Sequence, residues 1–376
     1  MPVFVSSVGI GRFGKRPEGL EELLVDAARK AMESIPSGSR HPEALFVGSM
    51  LAGTVGGVES LVPRLASRLE LDGIPGFRIE SASASGAAVF QAAVHAVASG
   101  AFDNALVLGG DKMTSLPSDS VTSALARSLS NAEVANGATM PSMAALVTSA
   151  YLARYHMPME RMGEVTVQNR EHASRNPSAH FQKVVSLDEV NASRTVSSPL
   201  RLLHVSPMSD GAAAVIVSRS EGRVRARGLG QATDRIEVAL RAELTSFSAT
   251  RKAAQRAYEM AQLTRKEVQV AELHDAFAPF EVIDIEDVGF CGPGEGLPWL
   301  ESGKGNMNGV LPVNPSGGLL GRGHPVGASG LVQIAELYRQ LVGEAGPLQA
   351  GHPRVGLAQS VGGLGSHNFV TLLERS

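Results

Sequence analysis

The chain has 376 residues, 43% of them hydrophobic and 19% charged, with a formal net charge of −3. That is enough apolar material for one or two globular cores, and it excludes wholesale disorder and nucleic-acid binding through bulk positive charge. The single cysteine, Cys291, excludes an intrachain disulfide framework and a cysteine-rich metal site.

Taken in chain order, the N-terminal stretch MPVFVSSVGIGRFGKRPEGL has neither a charged start nor a long apolar core. No run of about 20 apolar residues follows it, so no leader, no membrane span and a cytoplasmic location are expected. LEELLVDAARKAMES (20–34) has helical spacing and EALFVGSM (43–50) reads as a strand. Phe77–Glu80 is strand-like, and a helical pattern, ASGAAVFQAAVHAV, begins at Ala84. ALVLGGD (105–111) then reads as a buried strand. Residues 116–204 break this rhythm. They are rich in Ser, Asn, His and Met, hold helical runs such as PSMAALVTSAYLARYH, and read as an inserted loop domain. GAAAVIVSR (211–219) reads as a strand returning to the first half, and Arg223–Arg227 as a solvated basic loop.

The theme then repeats. TRKAAQRAYEMAQ (250–262) is helical, with Ala253-Ala254 in the place of Ala27-Ala28, and VQVAELHD (268–275) is a buried strand. ASGLVQIAELYRQL (328–341) matches ASGAAVFQAAVHAV, and VGLAQSVGGLG (355–365) follows as a strand ending in glycines. Alternating β and α patterns imply mostly parallel sheet covered by helices, here in two halves about a pseudo-twofold axis. The expected division is 1–115 with 205–222, then 116–204, then 223–376.

Four segments carry candidate chemistry. Ser83 lies where a strand gives way to a helix; the helix end would favour a thiolate, but a serine there needs a general base. Its plain alternative is a helix cap. His274 and Asp275 follow a buried strand, where α/β proteins bind ligands. VNPSGGLLGRGHPVGASG (313–330) packs Asn314, Ser316 and His324 among six glycines, a density that turn chemistry alone does not require. In QSVGGLGSHN (359–368), the Gly362-Gly363 backbone offers N–H groups to an oxyanion.

NPSGGLLGRGHPVGASG resembles the thiolase signature. HDAF resembles the thiolase Asn-Glu-Ala-Phe motif in the form found in sterol-carrier-protein-type and archaeal thiolases, and GFCGPGEG and PLRLLHVSPMSDGAAAVIV are similar to that branch too. The resemblance covers essentially the whole chain. It implies the thiolase fold: an α/β chain with duplicated halves in a five-layered α-β-α-β-α sandwich and an inserted loop domain. It also implies coenzyme A or acyl-CoA as substrate, no permanently bound cofactor or metal, and a homodimer or dimer of dimers.

Carried over residue by residue, the family's nucleophilic cysteine falls on Ser83, since Ser83-Ala84-Ser85-Gly86 stands where relatives read Cys-Ala-Ser-Gly. His324 matches the activating histidine and an oxyanion donor. His274 stands where others have a water-holding Asn. Gly362 and the Ser83 N–H match the second oxyanion hole. Ser360 falls at or beside a second, acid/base cysteine that the related branch places at the position of Ala276. Cys291 is either an active-site thiol or a small buried residue. Asn314, Ser316, Gly317 and Phe277 are expected to bind substrate.

The expected activity is acyl transfer between CoA thioesters by thiolysis or Claisen condensation, impaired by serine at position 83. Ser83 is either an engineered replacement or a natural variant. The alternatives are a retro-aldol lyase on a CoA-linked side chain, working with a small zinc-ribbon/OB-fold partner protein, and a non-catalytic acyl-CoA-binding subunit.

Overall fold

The structure, a computed structural model, describes residues 1–34, 41–220 and 222–376; residues 35–40 and 221, which fall within the expected first half, lie outside that description. The first half runs β1 (Phe4–Ile10), α1 (Leu20–Glu33), β2 (Leu45–Gly48), α2 (Leu61–Arg68), β3 (Gly76–Ile79), α3 (Ser85–Ala98) and β4 (Asn104–Asp111). Then come α4 (Ser118–Ala126), α5 (Asn131–Ala135), α6 (Met140–Tyr155), α7 (Gly163–Ser174), α8 (Leu187–Ala192) and the hairpin of β5 (Thr195–Ser197) and β6 (Leu200–Arg201). β7 (Gly211–Ser218) returns to the first half. The second half comprises β8 (Val224–Thr233), α9 (Ser248–Ala261), β9 (Val270–Glu272), α10 (Ala278–Asp287), α11 (Gly296–Glu301), α12 (Val326–Val342), β10 (Val355–Gly362) and β11 (His367–Arg375).

The duplication is visible in the strand order, β3-β2-β4-β7-β1-β8-β11-β10-β9. Outward from β1 the joins are antiparallel to β7, antiparallel to β4, then parallel to β2 and β3. Outward from β8 they are antiparallel to β11, antiparallel to β10, parallel to β9, and a parallel bridge from Ala271 to Val313 takes the place of a fifth strand. The half-sheets meet where Phe4 and Val5 pair with Arg225 and Val224. Arg223–Arg227 is therefore not a solvated loop. Val224 and Ala226 are buried while Arg225 is not, the period-2 alternation of a strand.

Three apolar clusters separate the layers. One lies between α1, α2 and the first half-sheet, one around α3 and α12 in the middle, and one beyond the second half-sheet under α9 and α10. α3 and α12 are buried almost all round, and α12 carries Ser329, Gln333, Glu336 and Gln340 along one buried side. They meet at the two matched Ala-Ser-Gly motifs. A Cβ on Gly86 would lie 2.6 Å from Leu331 N, and one on Gly330 would lie 2.6 Å from Ala87 N, so backbone approaches backbone only because both residues are glycine. Leu331 beside this contact is fully buried, and truncating it to Ala costs about 2–5 kcal/mol. Among the described residues no helix is long and apolar enough to cross a membrane.

Candidate active site

The turn from β3 into α3 is strained and held by its own hydroxyls. Ala82 has φ +48°, a left-handed conformation that costs an alanine about 1–2 kcal/mol. Ser85 Oγ donates to Ala82 O (2.6 Å) and accepts from Ser81 N (2.9 Å), while Ala82 N donates to Glu80 Oε1. This elbow turns Ser83 toward the interior, 8% exposed, with Oγ donating to Val361 O at 2.7 Å. Ser83 does not cap α3; Ala84 takes the cap position without a side-chain bond.

His274 follows β9, and its N–H donates to Gln359 Oε1 (2.9 Å), whose Nε2 donates in turn to Asp284 Oδ1 (2.8 Å). His324 precedes α12. The two imidazoles stand nearly perpendicular, with centroids 5.1 Å apart. Ser329 Oγ donates to Pro325 O (3.0 Å), so at the 2.7 Å contact with His324 Nδ1 the ring is the donor. With the hydroxyl so directed, Nδ1 carries the proton and Nε2 a lone pair. Burial, aided by the Arg322 charge, pushes His324 down to about 3. Burial, with His324 and Arg322, drives His274 well below the ordinary range. Both rings are neutral near pH 7.

The loop that presents His324 is anchored by buried charge. Arg322 and Glu272 pair at 3.2 Å with neither side chain exposed, and Arg322 Nη1 also donates to Ser316 Oγ (2.7 Å). Ser316 donates to Glu272 from both Oγ and N. Asp275 accepts from Leu319 N (2.6 Å), Leu320 N (3.0 Å) and Asn169 Nδ2 (2.8 Å), which fixes the π-helical turn Gly318–Arg322. Burial raises Asp275 to about 6 despite those N–H donors, and Glu272 to about 7 despite Arg322.

Three of the residues expected to bind substrate have protein partners instead. Asn314 donates to Glu281 (2.7 Å) and accepts from Leu273 N (2.8 Å); Ser316 is spent on Glu272; Gly317, at φ +99°, would carry a Cβ 2.4 Å from that of Ala173. All three build the framework beneath the site and none lines its cavity.

The cavity holds about 110 Å³ and is walled by Ser83, His274, His324 and Phe277, with Met50, Met113, Met140 and Met208 among its apolar lining. Ser83, His274, His324 and Phe277 are thus brought together on one cavity. Of these methionines only Met140 belongs to the Met-rich stretch 116–204, and no sequence pattern marks Met50, Met113 or Met208. Gly363 reaches the same cavity, whereas Gly362 lines an adjoining one with Ser81 and His367. Ser360 is not brought to the cavity: it is 1% exposed, and its Oγ lies 3.0 Å from where Gly330 would carry a Cβ. Cys291 also lies off the cavity, packed at the edge of a hydrophobic cluster, with burial pushing its thiol up to about 12. Its surroundings oppose a thiolate.

Two family models match the chain: thiolase, N-terminal domain, over residues 7–221, and thiolase C-terminal domain-like, over residues 230–375. An acetyl-CoA acetyltransferase of Methanothermobacter thermautotrophicus is 35% identical over 383 residues, 99% of each chain. The benzoylsuccinyl-CoA thiolase subunit BbsB of Thauera aromatica is 32% identical over 374 residues, 96% of this chain and 94% of that protein. The solved Ltp2-ChsH2(DUF35) aldolase superposes with a TM-score of 0.83, covering 100% of this chain and 98% of the other, at 23% identity, a likeness of fold.

Proposed function

Since the chain belongs to the thiolase family, we propose that it is a cytoplasmic acyltransferase acting on coenzyme A thioesters, making or breaking the carbon–carbon bond of a 3-oxoacyl-CoA. The observation that carries this reading is the convergence of Ser83, His274 and His324 on one apolar cavity. In the thiolytic direction Ser83 Oγ attacks the 3-oxo carbon and its proton passes to His324 Nε2. The bond between C2 and C3 then breaks, leaving an ester on Ser83 and an enolate beside His274 and His324. The enolate takes the proton at carbon and departs as acetyl-CoA. The thiol of a second CoA attacks the ester, the carbon–oxygen bond breaks, and Oγ regains a proton. The N–H groups of Ser83 and Gly362 are assigned to the tetrahedral oxyanion. Apolar walls exclude water and strengthen each of these interactions. They also suit an apolar acyl chain, and methionine adapts to its shape.

The bond from Ser83 Oγ to Val361 O favours a second reading. A carbonyl oxygen takes no proton, so the serine as it stands is not activated, and the ester forms slowly. Retro-aldol cleavage of a 3-hydroxyacyl-CoA needs the enolate site but no covalent step. Under that reading a small zinc-ribbon/OB-fold partner belongs to the assembly. Homodimerisation is supported by β3, an edge strand with Phe77 46% exposed that can pair with its own copy.

Intact-mass spectrometry after incubation with 3-oxoacyl-CoA, alongside chromatography of the products, tests the proposal. An acyl adduct on Ser83 with acetyl-CoA released supports acyl transfer. Cleavage of a 3-hydroxyacyl-CoA without adduct supports the lyase. Binding without turnover refutes both in favour of a non-catalytic acyl-CoA-binding subunit.

A further inference from the structure

A second hydroxyl–imidazole pair lies on the same elbow as Ser83. Ser81 Oγ is 2.7 Å from His367 Nδ1. The direction of Ser81 is set by its backbone, because N donates to Ser85 Oγ (2.9 Å) and O accepts from Ala84 N (3.0 Å). His367 opens β11 opposite Gly362, and its ring packs on Phe369 with centroids 4.4 Å apart. Both side chains line a cavity of about 420 Å³ together with Glu80, Arg127, Gly362 and Ser366. That cavity shares Met50 and Ser128 with the one holding Ser83, so the two adjoin.

The chemistry of the two serines differs. Ser83 gives its hydroxyl hydrogen to a carbonyl oxygen, which cannot accept the proton outright. Ser81 faces an imidazole nitrogen, which can, and a nucleophile within hydrogen-bond reach of a base is the basic element of covalent acyl chemistry. A bond that served only to brace the elbow would have no use for a cavity of this size beside it. We propose that Ser81 and His367 form a nucleophile–base pair that hydrolyses carboxylic thioesters, with water as the acyl acceptor.

Ser81 Oγ attacks the thioester carbon, its proton moves to His367 Nδ1, and the carbon–sulfur bond breaks. The departing thiolate takes that proton. Water then attacks the ester while His367 Nδ1 accepts its proton, the carbon–oxygen bond breaks, and the proton is returned to Ser81 Oγ. The net products are a carboxylic acid and a thiol. Burial lowers His367 while Glu80 opposes the shift, so a neutral imidazole is available as the base. Arg127 on the wall suits a substrate bearing an anionic group, as phosphate-bearing thioesters do.

This activity goes beyond the carbon–carbon chemistry proposed for Ser83, and its readout does not depend on it. The purified protein is treated with a fluorophosphonate and the adduct mapped by fragment mass spectrometry, which separates position 81 from position 83. Acetyl-CoA hydrolysis is followed by thiol release in the absence of any acyl acceptor but water. The expected results are label on Ser81 and at least a roughly tenfold loss of hydrolysis in Ser81→Ala and in His367→Ala. Ser81→Cys, which keeps the side chain's size, guards against a folding defect: its new thiol is expected to be alkylated rapidly by iodoacetamide, and slowly once His367→Ala is added. Label on Ser83 alone, no label at all, or hydrolysis unchanged in Ser81→Ala overturns the proposal.

Discussion

Ser329 touches no wall of the cavity, yet it sets the proton on the histidine that does. Its hydroxyl accepts from His324 Nδ1 at 2.7 Å and donates to Pro325 O at 3.0 Å. In Ser329→Ala the carbonyl is not orphaned, since it still accepts from Ala328 N (2.9 Å) and Ser329 N (3.0 Å). The Nδ1–H is, and leaving one buried donor unpaired costs about 1–3 kcal/mol, so stability should fall by about 2 kcal/mol. The tautomer preference falls with it. Urea unfolding reads the first quantity, and ¹⁵N NMR of the imidazole reads the second as a shift of the proton from Nδ1 toward Nε2. Ser329→Thr, which keeps the hydroxyl, should restore the tautomer. Unchanged stability together with an unchanged tautomer would refute the role of Ser329 in setting the His324 proton.

Met140→Trp narrows the cavity of about 110 Å³, and the preference for acetyl over hexanoyl thioesters in kcat/KM should rise roughly tenfold or more; an unchanged chain-length profile means the acyl chain lies elsewhere. His324 and His274 are held below their ordinary range by burial, His324 at about 3. Because their folded pKa values lie below the unfolded ones, the unfolded chain takes up protons first, and the pair lowers stability progressively as pH falls from about 6.5. Glu272, raised by burial to about 7, acts in the opposite sense: its contribution is present at low pH and is lost as pH rises toward 7. The His324 Cε1–H resonance should therefore keep its neutral position from about pH 8 to about pH 5, and a midpoint near 6.5 would mean that water fills the cavity.

Much of the fold is legible in the sequence, because the duplicated motifs carry their own reason. The two Ala-Ser-Gly stretches are alike because Gly86 and Gly330 meet one another's helix backbone. Ser83, His274, His324 and Phe277 are legible in the site because each follows or precedes an element whose type is plain from its pattern. Asn314, Ser316 and Gly317 are not, because a dense polar and glycine-rich stretch does not say which side chains face the ligand and which face the framework. Their partners, Glu281, Glu272 and Ala173, come from elsewhere in the chain. Ser360 and Gln359 are adjacent on β10 and point to opposite faces, so alignment to a motif without the sheet register could not tell which approaches the histidines. Arg223–Arg227 reads as a loop because its three arginines mask the alternation between them.

Residue 83 is the proposed point of acyl attachment, and Ser83→Cys tests that role most directly. Serine and cysteine differ little in size, and a thiol beside His324 at the start of α3 ionises far more readily than a hydroxyl. The variant is expected to cleave 3-oxoacyl-CoA roughly 100-fold faster or more than the parent, with an acyl mass increment on residue 83 in single turnover. A variant that folds, alkylates readily at position 83, and yet shows neither acyl adduct nor faster cleavage would contradict the claim and leave enolate chemistry without a covalent step as the function of the cavity.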